Sequence, residues 1–163
     1  MANREKLELR RFPKRRPQQS VAQRAVVGVL STADLVRRSL TRVVEKHGLT
    51  LQQFNVLRIL RGAGANGLPT LQIGERMVET TPGLTGLLDR LLVKNLVERR
   101  RCAVDRRRVY CTITGKGLDV LEDLDLPVDL WERSVVEDLS LEDRQHLVRV
   151  LTLVQATLSS REA

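Results

Sequence analysis

The sequence predicts a mostly α-helical fold with one small β-hairpin. Apolar residues recur at spacings of three and four over most of the chain, which is the period of an amphipathic helix. Between residues 97 and 113 the pattern changes to alternation, which is typical of short strands. The chain has 163 residues, of which 42% are hydrophobic, and this is enough for one domain with a core. We therefore expect a single domain at 21–163, preceded by a basic segment at 1–20.

The first predicted helix covers residues 21–47 and carries one long apolar stripe. Spacings of three and four alternate along the stripe, giving a heptad pattern of about four repeats that is typical of helix pairing. Gly48 then fits the position just after a helix C-terminus. The stripe consists of Val26, Val29, Ala33, Val36, Leu40, Val43 and His47.

The start of a second helix is predicted by a capping box. Thr50 lies three residues before Gln53, a spacing that lets each side chain bond the backbone N–H of the other residue. Glycines then indicate a loop, because they favour turn conformations. The apolar face of this helix is Leu51, Phe54, Leu57 and Leu60, and the loop residues are Gly62, Gly64, Asn66 and Gly67.

Two more helices are predicted between residues 70 and 95. Thr70 is a candidate N-cap for a short helix from Leu71 to Met77. Thr81 followed by Pro82 is a sharper start, because proline suits the first helical position. Asn95 can adopt the left-handed conformation that ends this fourth helix. Its apolar face is Leu84, Leu87, Leu88, Leu91 and Leu92.

Alternating residues predict two short strands that flank the segment 102–108. In the first strand Val97, Arg99 and Arg101 share a face, and in the second Val109, Cys111 and Ile113 do so. We expect a hairpin with Cys111 in the core and Cys102 near the tip, without a disulfide between them. The tip contains Asp105, Arg106, Arg107 and Arg108.

Two helices are predicted after the hairpin. Thr114 caps the first, and Pro127 should kink or interrupt it before Trp131. Ser140 and Asp143 form the capping box of the last helix. Its apolar residues repeat the heptad spacing and are Leu147, Leu151, Val154 and Leu158.

The charge of the chain is segregated. The formal net charge is +8, with 28 basic and 20 acidic side chains, which favours a polyanionic partner. Residues 1–24 and residues 90–108 each carry eight basic and two acidic side chains, whereas 115–163 carries five basic and eleven acidic. Aromatic residues make up only 2% of the chain, so stacking platforms for single strands are lacking and duplex nucleic acid is favoured. Residues 1–20 are expected to be disordered, either as a solvated segment or as an additional arm on DNA.

Several classes of protein are disfavoured. No His or Cys cluster has metal-ligand spacing, and neither a glycine-rich phosphate loop nor a nucleophile elbow is present, so we expect no enzyme, metal or cofactor. No apolar run approaches the roughly 20 residues that span a bilayer, and the basic N-terminus is not followed by a signal-peptide core. A cytoplasmic protein without a membrane partner is expected.

The order of the elements points to a winged helix-turn-helix. In that fold, consecutive short helices precede a two-stranded wing, one helix enters the major groove of DNA, and the wing meets the backbone or minor groove. Arg90 lies where it would reach a phosphate, and Asp105 could pair with Arg107 and hold the turn. The glycines either permit close approach to a ligand or permit tight helix packing. The candidate base-facing residues are Thr81, Pro82, Gly83, Thr85 and Gly86, and the candidate wing residues are Arg106, Arg107 and Arg108.

Residues 25–160 resemble the MarR (multiple antibiotic resistance regulator) family of bacterial transcription factors. The run begins with Thr81-Pro82-Gly83-Leu84-Thr85 and continues through Leu88-Asp89-Arg90-Leu91 and Asn95-Leu96-Val97-Glu98-Arg99. It then reaches Asp105-Arg106-Arg107 and closes with Thr112-Ile113-Thr114-Gly115-Lys116-Gly117. Each motif is weak alone, and their order makes the resemblance specific.

The resemblance implies a homodimer that binds a pseudo-palindromic duplex-DNA operator and acts as a repressor. The winged module would cover about 50–114, and the helices at about 21–47 and 115–160 would form the dimer. The two heptad stripes agree with this, because one 163-residue chain would struggle to cover both. The base-facing residues would meet the major groove and Arg90 the backbone. Arg107, with Arg106, would enter the minor groove, while Asp105 would orient the wing.

The resemblance also implies regulation by a small molecule, with a cleft built from the first two helices and the helix after the wing. The effector itself is not identified by the sequence. Asn95 replaces the glycine common in the family, and the first helix lacks the cysteine of peroxide-sensing members. The alternative is a winged-helix module that binds DNA without sequence choice or binds another protein.

Overall fold

The computed structural model describes residues 20–78, 83–101 and 109–162. Its helices are α1 (Val21–Glu45), α2 (Leu51–Ala63), α3 (Thr70–Arg76), α4 (Leu84–Val93), α5 (Gly115–Val135) and α6 (Leu141–Glu162). The strands are β1 (Leu68–Pro69), β2 (Val97–Arg101) and β3 (Val109–Ile113), and one 3₁₀ turn covers Gly64–Asn66. The mostly helical fold with a small hairpin is thus confirmed.

The described chain divides into two compact units between Leu35 and Val36. The first contains the N-terminal part of α1. The second begins at Val36 and contains the end of α1 and every later element, with a core drawn from α1, α2, α3, α4, the sheet and α5. Among the fully buried side chains of this core are Val44, Leu57, Leu60, Ile73, Leu88, Leu91, Leu121 and Leu124.

The predicted hairpin is confirmed, and the sheet has a third strand that the sequence did not indicate. Val97 lies opposite Ile113, and Arg101 lies opposite Val109. β1 pairs with the outer side of β3, so the order is β1-β3-β2 and all neighbours are antiparallel. A two-residue strand that includes Pro69 shows no alternation, and a proline is tolerated there because β1 is an edge strand.

Several helix ends form as the sequence predicts. The Thr50 backbone N–H donates to Gln53 Oε1 at 3.1 Å, and the Gln53 N–H donates to Thr50 Oγ1 at 3.2 Å, which completes the capping box. Thr114 Oγ1 accepts the Gly117 N–H at 3.1 Å, and Ser140 Oγ accepts the Asp143 N–H at 3.1 Å. Asn95 has a φ of 57°, the left-handed conformation expected after α4.

Two predicted helix starts were wrong. Thr70 is the first residue of α3 rather than its N-cap. Pro69, the last residue of β1, has an extended backbone and occupies the cap position instead. The helix predicted from Thr81 and Pro82 begins at Leu84 instead. Gly83 precedes it with φ 87° and ψ 32°, and this left-handed backbone cannot continue a right-handed helix toward the N-terminus. Residues 79–82 lie outside the described residues.

Pro127 does not interrupt its helix. α5 is continuous from Gly115 to Val135 and contains Pro127 in its interior. A proline in a helix interior costs about 3 kcal/mol, so the surrounding turns must be held by packing. Leu124 is 0% exposed and Val128 is 7% exposed on either side of it. Burial of these turns explains why the helix survives.

Candidate nucleic-acid interface

α4 has one buried face and one open face. Leu87, Leu88 and Leu91 point into the core and are at most 2% exposed. The opposite side carries Thr85 and Arg90, which are exposed in the structure. The leucine stripe therefore orients the helix so that its small and polar side chains meet solvent, as a DNA-reading helix requires.

A salt bridge joins α4 to the hairpin. The Arg99 guanidinium on β2 lies 2.6 Å from Asp89 Oδ1 on α4, and its second amino group donates to the Thr85 carbonyl oxygen at 3.3 Å. Both carboxylate and guanidinium are partly exposed, so the bridge adds little stability. It links the middle of β2 to α4 through two hydrogen bonds. Sequence reasoning missed this pair, because a contact ten residues apart across an element boundary leaves no periodic signal.

Open space surrounds the two glycines near the start of α4. A Cβ added at Gly83 or Gly86 would have no described atom within 4 Å. Tight packing against another described element therefore explains neither residue. The left-handed backbone of Gly83 favours glycine by itself, so close approach of an external ligand is the interpretation for Gly86 alone. Gly86 is partly exposed and lies between the exposed Thr85 and the buried Leu87.

Arg90 is available to an anion. Its side chain is exposed, and within 20–78, 83–101 and 109–162 it forms no hydrogen bond or ion pair. A guanidinium provides five donors in a planar fork that matches a phosphate. The neighbouring Asp89 is already paired with Arg99, so it does not neutralise Arg90.

The predicted hairpin tip falls outside the described part of the chain. β2 ends at Arg101 and β3 begins at Val109, so the tip residues connect two strands whose pairing is established. Thr81 and Pro82 are also outside the described residues. The sequence-predicted site residues that the structure does place are Gly83, Thr85, Gly86 and Arg90, all at the start or on the open side of α4. The undescribed tip residues are Asp105, Arg106, Arg107 and Arg108.

α5 attaches the winged module to the end of α1. Trp131 Nε1 donates to Ser39 Oγ at 2.9 Å, which links α5 to α1. Arg61 on α2 forms a two-pronged ion pair with Asp125 on α5, at 2.8 and 2.9 Å. The end of α1 is thus linked through α5 to α2, the first helix of the winged module.

A cavity of about 750 Å³ opens beside the corner that joins α1 to α2 (residues 46–50) and the side of α4. Its walls are the end of α1, the start of α2 and the side of α4. The effector cleft that the resemblance implies stays a prediction. Its lining includes Glu45, Leu49, Gln52, Leu87, Arg90 and Val93.

Two further classes of feature are lacking in the ranges that the structure covers. No group of three His, Cys, Asp or Glu side chains in those ranges is arranged to hold a metal ion. None of the described helices is long and apolar enough to cross a membrane.

Comparison with known proteins identifies the family. Residues 47–108 match the model of the MarR family. The chain is 30% identical over 145 residues to the HTH-type transcriptional regulator PecS of Dickeya dadantii, an alignment that covers 88% of this chain and 87% of PecS. The chain belongs to the MarR family. A second relative, the HTH-type transcriptional regulator MhqR of Bacillus subtilis, is 35% identical over 81 residues, and the chain spans about half (54%) of its length.

Solved structures of similar proteins share the fold of this MarR-family chain. A MepR–DNA complex from S. aureus superimposes with a TM-score of 0.72 at 23% identity, covering 86% of this chain and 99% of MepR. NadR in complex with 4-hydroxyphenylacetate superimposes with a TM-score of 0.67 at 25% identity, covering 85% of this chain and 96% of NadR. The winged helix-turn-helix fold predicted from the sequence is confirmed.

Proposed function

We propose that this MarR-family transcriptional regulator works as a homodimer that binds a pseudo-palindromic duplex-DNA operator and represses the adjacent genes. The observation that carries the proposal is the open face of α4, where small residues and the unpaired Arg90 stand beside the hairpin in the described part of the chain. The MepR–DNA complex supports it, because a protein of this fold there forms a complex with DNA. A regulator of the bacterial chromosome acts in the cytoplasm, and it does so without catalysis.

Each site residue has a separate role in this proposal. Thr81, Pro82, Gly83, Thr85 and Gly86 face base edges in the major groove, where threonine reads bases or a thymine methyl. Arg90 binds a backbone phosphate. Arg107, together with Arg106, enters the narrow minor groove, where the negative potential is enhanced, and Arg108 is the third DNA-binding residue of the wing. Asp105 orients the wing.

Dimer formation is supported by the exposed apolar side chains of the last helix. Leu147, Leu151, Val154 and Leu158 are between 37% and 55% exposed, although they follow the heptad spacing of a helix interface. The predicted stripe of the first helix is similar, because Val26 is 60% exposed. Apolar stripes of this length in water mark a surface that another chain covers.

Regulation by a small molecule is supported by NadR, which is complexed with 4-hydroxyphenylacetate. We propose that this chain also responds to a small effector, which lowers its affinity for the operator. The effector binds a cleft between the dimer helices and the winged module. A screen of small molecules for those that release the protein from its operator would identify the effector.

A competition experiment tests sequence-specific binding. A duplex containing the pseudo-palindrome upstream of the coding region is labelled, and unlabelled copies of it compete with random duplex at fixed salt. Specific binders prefer their site by roughly 10³-fold or more over random DNA. Equal competition would favour the alternative function, a winged-helix module that binds DNA without sequence choice.

Arg107→Ala tests the wing. We expect about tenfold weaker operator binding. The salt dependence should also become shallower, by about one unit for each guanidinium removed from the DNA, or about two units per dimer, because fewer counterions are released. Binding is measured between 50 and 200 mM salt, roughly the range over which phosphate binding dominates. Arg133→Ala removes the same charge from the exposed side of α5 and should change neither quantity. Equal effects of the two variants would contradict the wing assignment.

Gly86→Ala tests close approach of α4 to DNA. Alanine should raise the free energy of unfolding by up to about 1 kcal/mol, because it favours the helix and meets no described atom within 4 Å. It should nevertheless weaken operator binding, because the added methyl group occupies space that DNA needs. Gly62→Ala in α2 is the control, since its Cβ also enters open space but lies outside the proposed DNA face. A stabilised Gly86→Ala protein with unchanged affinity would show that the glycine does not touch DNA.

A further inference from the structure

Lys94 connects the end of α4 to the corner that joins α1 and α2. Its ammonium donates to the carbonyl oxygen of Gly48 at 2.6 Å and to Gln53 Oε1 at 3.4 Å. Gly48 belongs to the turn that follows α1, and Gln53 lies in the first turn of α2 and is 3% exposed. The Lys94 side chain, at the C-terminal end of α4, thus contacts both the turn after α1 and the first turn of α2.

Both acceptors of the Lys94 ammonium are suited to a cation. Gln53 Oε1 also accepts the Thr50 backbone N–H at 3.1 Å as part of the capping box, so the same oxygen takes part in both the cap and the Lys94 contact. Carbonyl groups at the C-terminal end of a helix carry partial negative charge and interact favourably with a cation. The Gly48 carbonyl therefore provides a charge-assisted acceptor just beyond α1.

The backbone on the other side of Lys94 is held by α5. The Lys94 carbonyl oxygen accepts from Lys116 Nζ at 3.1 Å, and the Asn95 carbonyl oxygen accepts from Thr114 Oγ1 at 2.8 Å. Thr114 is at the same time the cap of α5. The turn after α4 is thus tied to α5 through its backbone and to the α1–α2 corner through the Lys94 side chain.

The Lys94 link lies at the cavity beside the corner and α4. The cavity has a volume of about 750 Å³, and Lys94 lies in its lining with Val93 and Arg90. The leucine face of α4 packs into the core, so the Lys94 link acts in addition to that packing. At this cavity the Lys94 ammonium connects α4 to the corner through two hydrogen bonds.

We propose that Lys94 is a positioning residue that holds α4 at the angle needed for DNA and couples that angle to α1 and α2 through Gly48 and Gln53. The proposal rests on the proposed function, in which the open face of α4 meets the major groove. Lys94 acts through the corner and does not itself bind a phosphate. Removing its ammonium lets α4 change its angle while the protein still binds the same phosphates.

Lys94→Met tests the proposal, with Lys46→Met as the matched control. Both lysines are exposed, so neither substitution opens the core, and both variants lose one positive charge near the corner. We expect Lys94→Met to weaken operator binding about five- to tenfold with an unchanged salt slope, and Lys46→Met to change binding little. Lys94→Arg keeps a charged donor and should restore most of the affinity.

Three results of the binding assay would overturn the proposal. Unchanged affinity in Lys94→Met would show that the Lys94 ammonium positions nothing. A salt slope shallower by about one unit per protomer would make Lys94 a phosphate ligand instead. A weakened affinity that Lys94→Arg does not reverse would contradict a role that depends on donated hydrogen bonds.

Amide hydrogen exchange provides a measurement that does not involve DNA. Peptides covering residues 48–54 should exchange at least about threefold faster in Lys94→Met than in the unmodified protein, because the Gln53 side-chain amide loses a partner, whereas Lys46→Met should leave them unchanged. Equal exchange in all three proteins would overturn the positioning role. If exchange rises as expected while the unmodified chain binds no duplex, the proposed function fails and the link between α4 and the corner stands.

Discussion

The substitution Gly117→Ala is expected to lower the free energy of unfolding by about 3 kcal/mol, the upper end of the cost of overpacking a well-filled core. Gly117 lies in the first turn of α5 and is buried. An added Cβ would collide with the carbonyl oxygen of Leu96 and would lie 2.7 Å from Ile113 Cγ1. The carbonyl cannot easily give way, because it accepts the Thr114 backbone N–H at 3.1 Å. The turn that precedes β2 and the start of α5 would have to separate.

Gly115→Ala is the matched control for this prediction. Gly115 lies two residues earlier in the same helix, is exposed, and has no described atom within 4 Å of an added Cβ. Its replacement should leave stability unchanged or raise it slightly. Urea unfolding followed by the fluorescence of Trp131, the single tryptophan of the chain, measures both variants. If the two substitutions destabilised the protein equally, close packing of α5 against the hairpin would not be what requires Gly117.

Leu151→Glu is expected to dissociate the proposed homodimer and to abolish specific operator binding. Leu151 is 37% exposed in the single chain, and in the dimer it would lie at the centre of the apolar stripe of α6. Burying an unpaired carboxylate in an apolar interface costs several kcal/mol, which weakens association by about 10³-fold or more. Each monomer would then hold only one half-site, so the affinity gained from linking two sites disappears.

Thr152→Glu separates the effect of charge from the effect of position. Thr152 is the next residue of α6, is exposed, and lies outside the heptad stripe, so the same charge there should leave the dimer intact. Sedimentation velocity at micromolar and lower concentrations distinguishes the two variants. A Leu151→Glu protein that remains dimeric and retains its operator affinity would show that the stripe of α6 does not form the dimer interface.

Local sequence signals predicted most elements because their causes are local. The Thr50–Gln53 box and the Thr114 cap involve residues three positions apart, and Asn95 takes its left-handed φ from its own backbone preference. The leucine face of α4 follows from helical period alone. Signals of this range need no knowledge of the rest of the fold.

Contacts between distant residues could not be predicted in the same way. The two residues of β1 have no strand pattern and form a strand only by pairing with β3. Because Pro69 ends this strand and caps α3, the helix begins one residue earlier than the sequence predicted. The continuity of α5 through Pro127 depends on burial of Leu124 and Val128 by other elements. In each case the stabilising contact is made with an element distant in sequence, so the local sequence does not reveal it.

The sequence by itself therefore determined the order of the helices, the two paired strands, the basic segments and the leucine face that orients α4. The tertiary structure alone decided that Arg99 pairs with Asp89, that Lys94 reaches Gly48 and Gln53, and that a cavity lies beside α4 and the corner. Periodicity and capping depend on residues within one or two turns, whereas these contacts exist only after the chain has brought separate elements together.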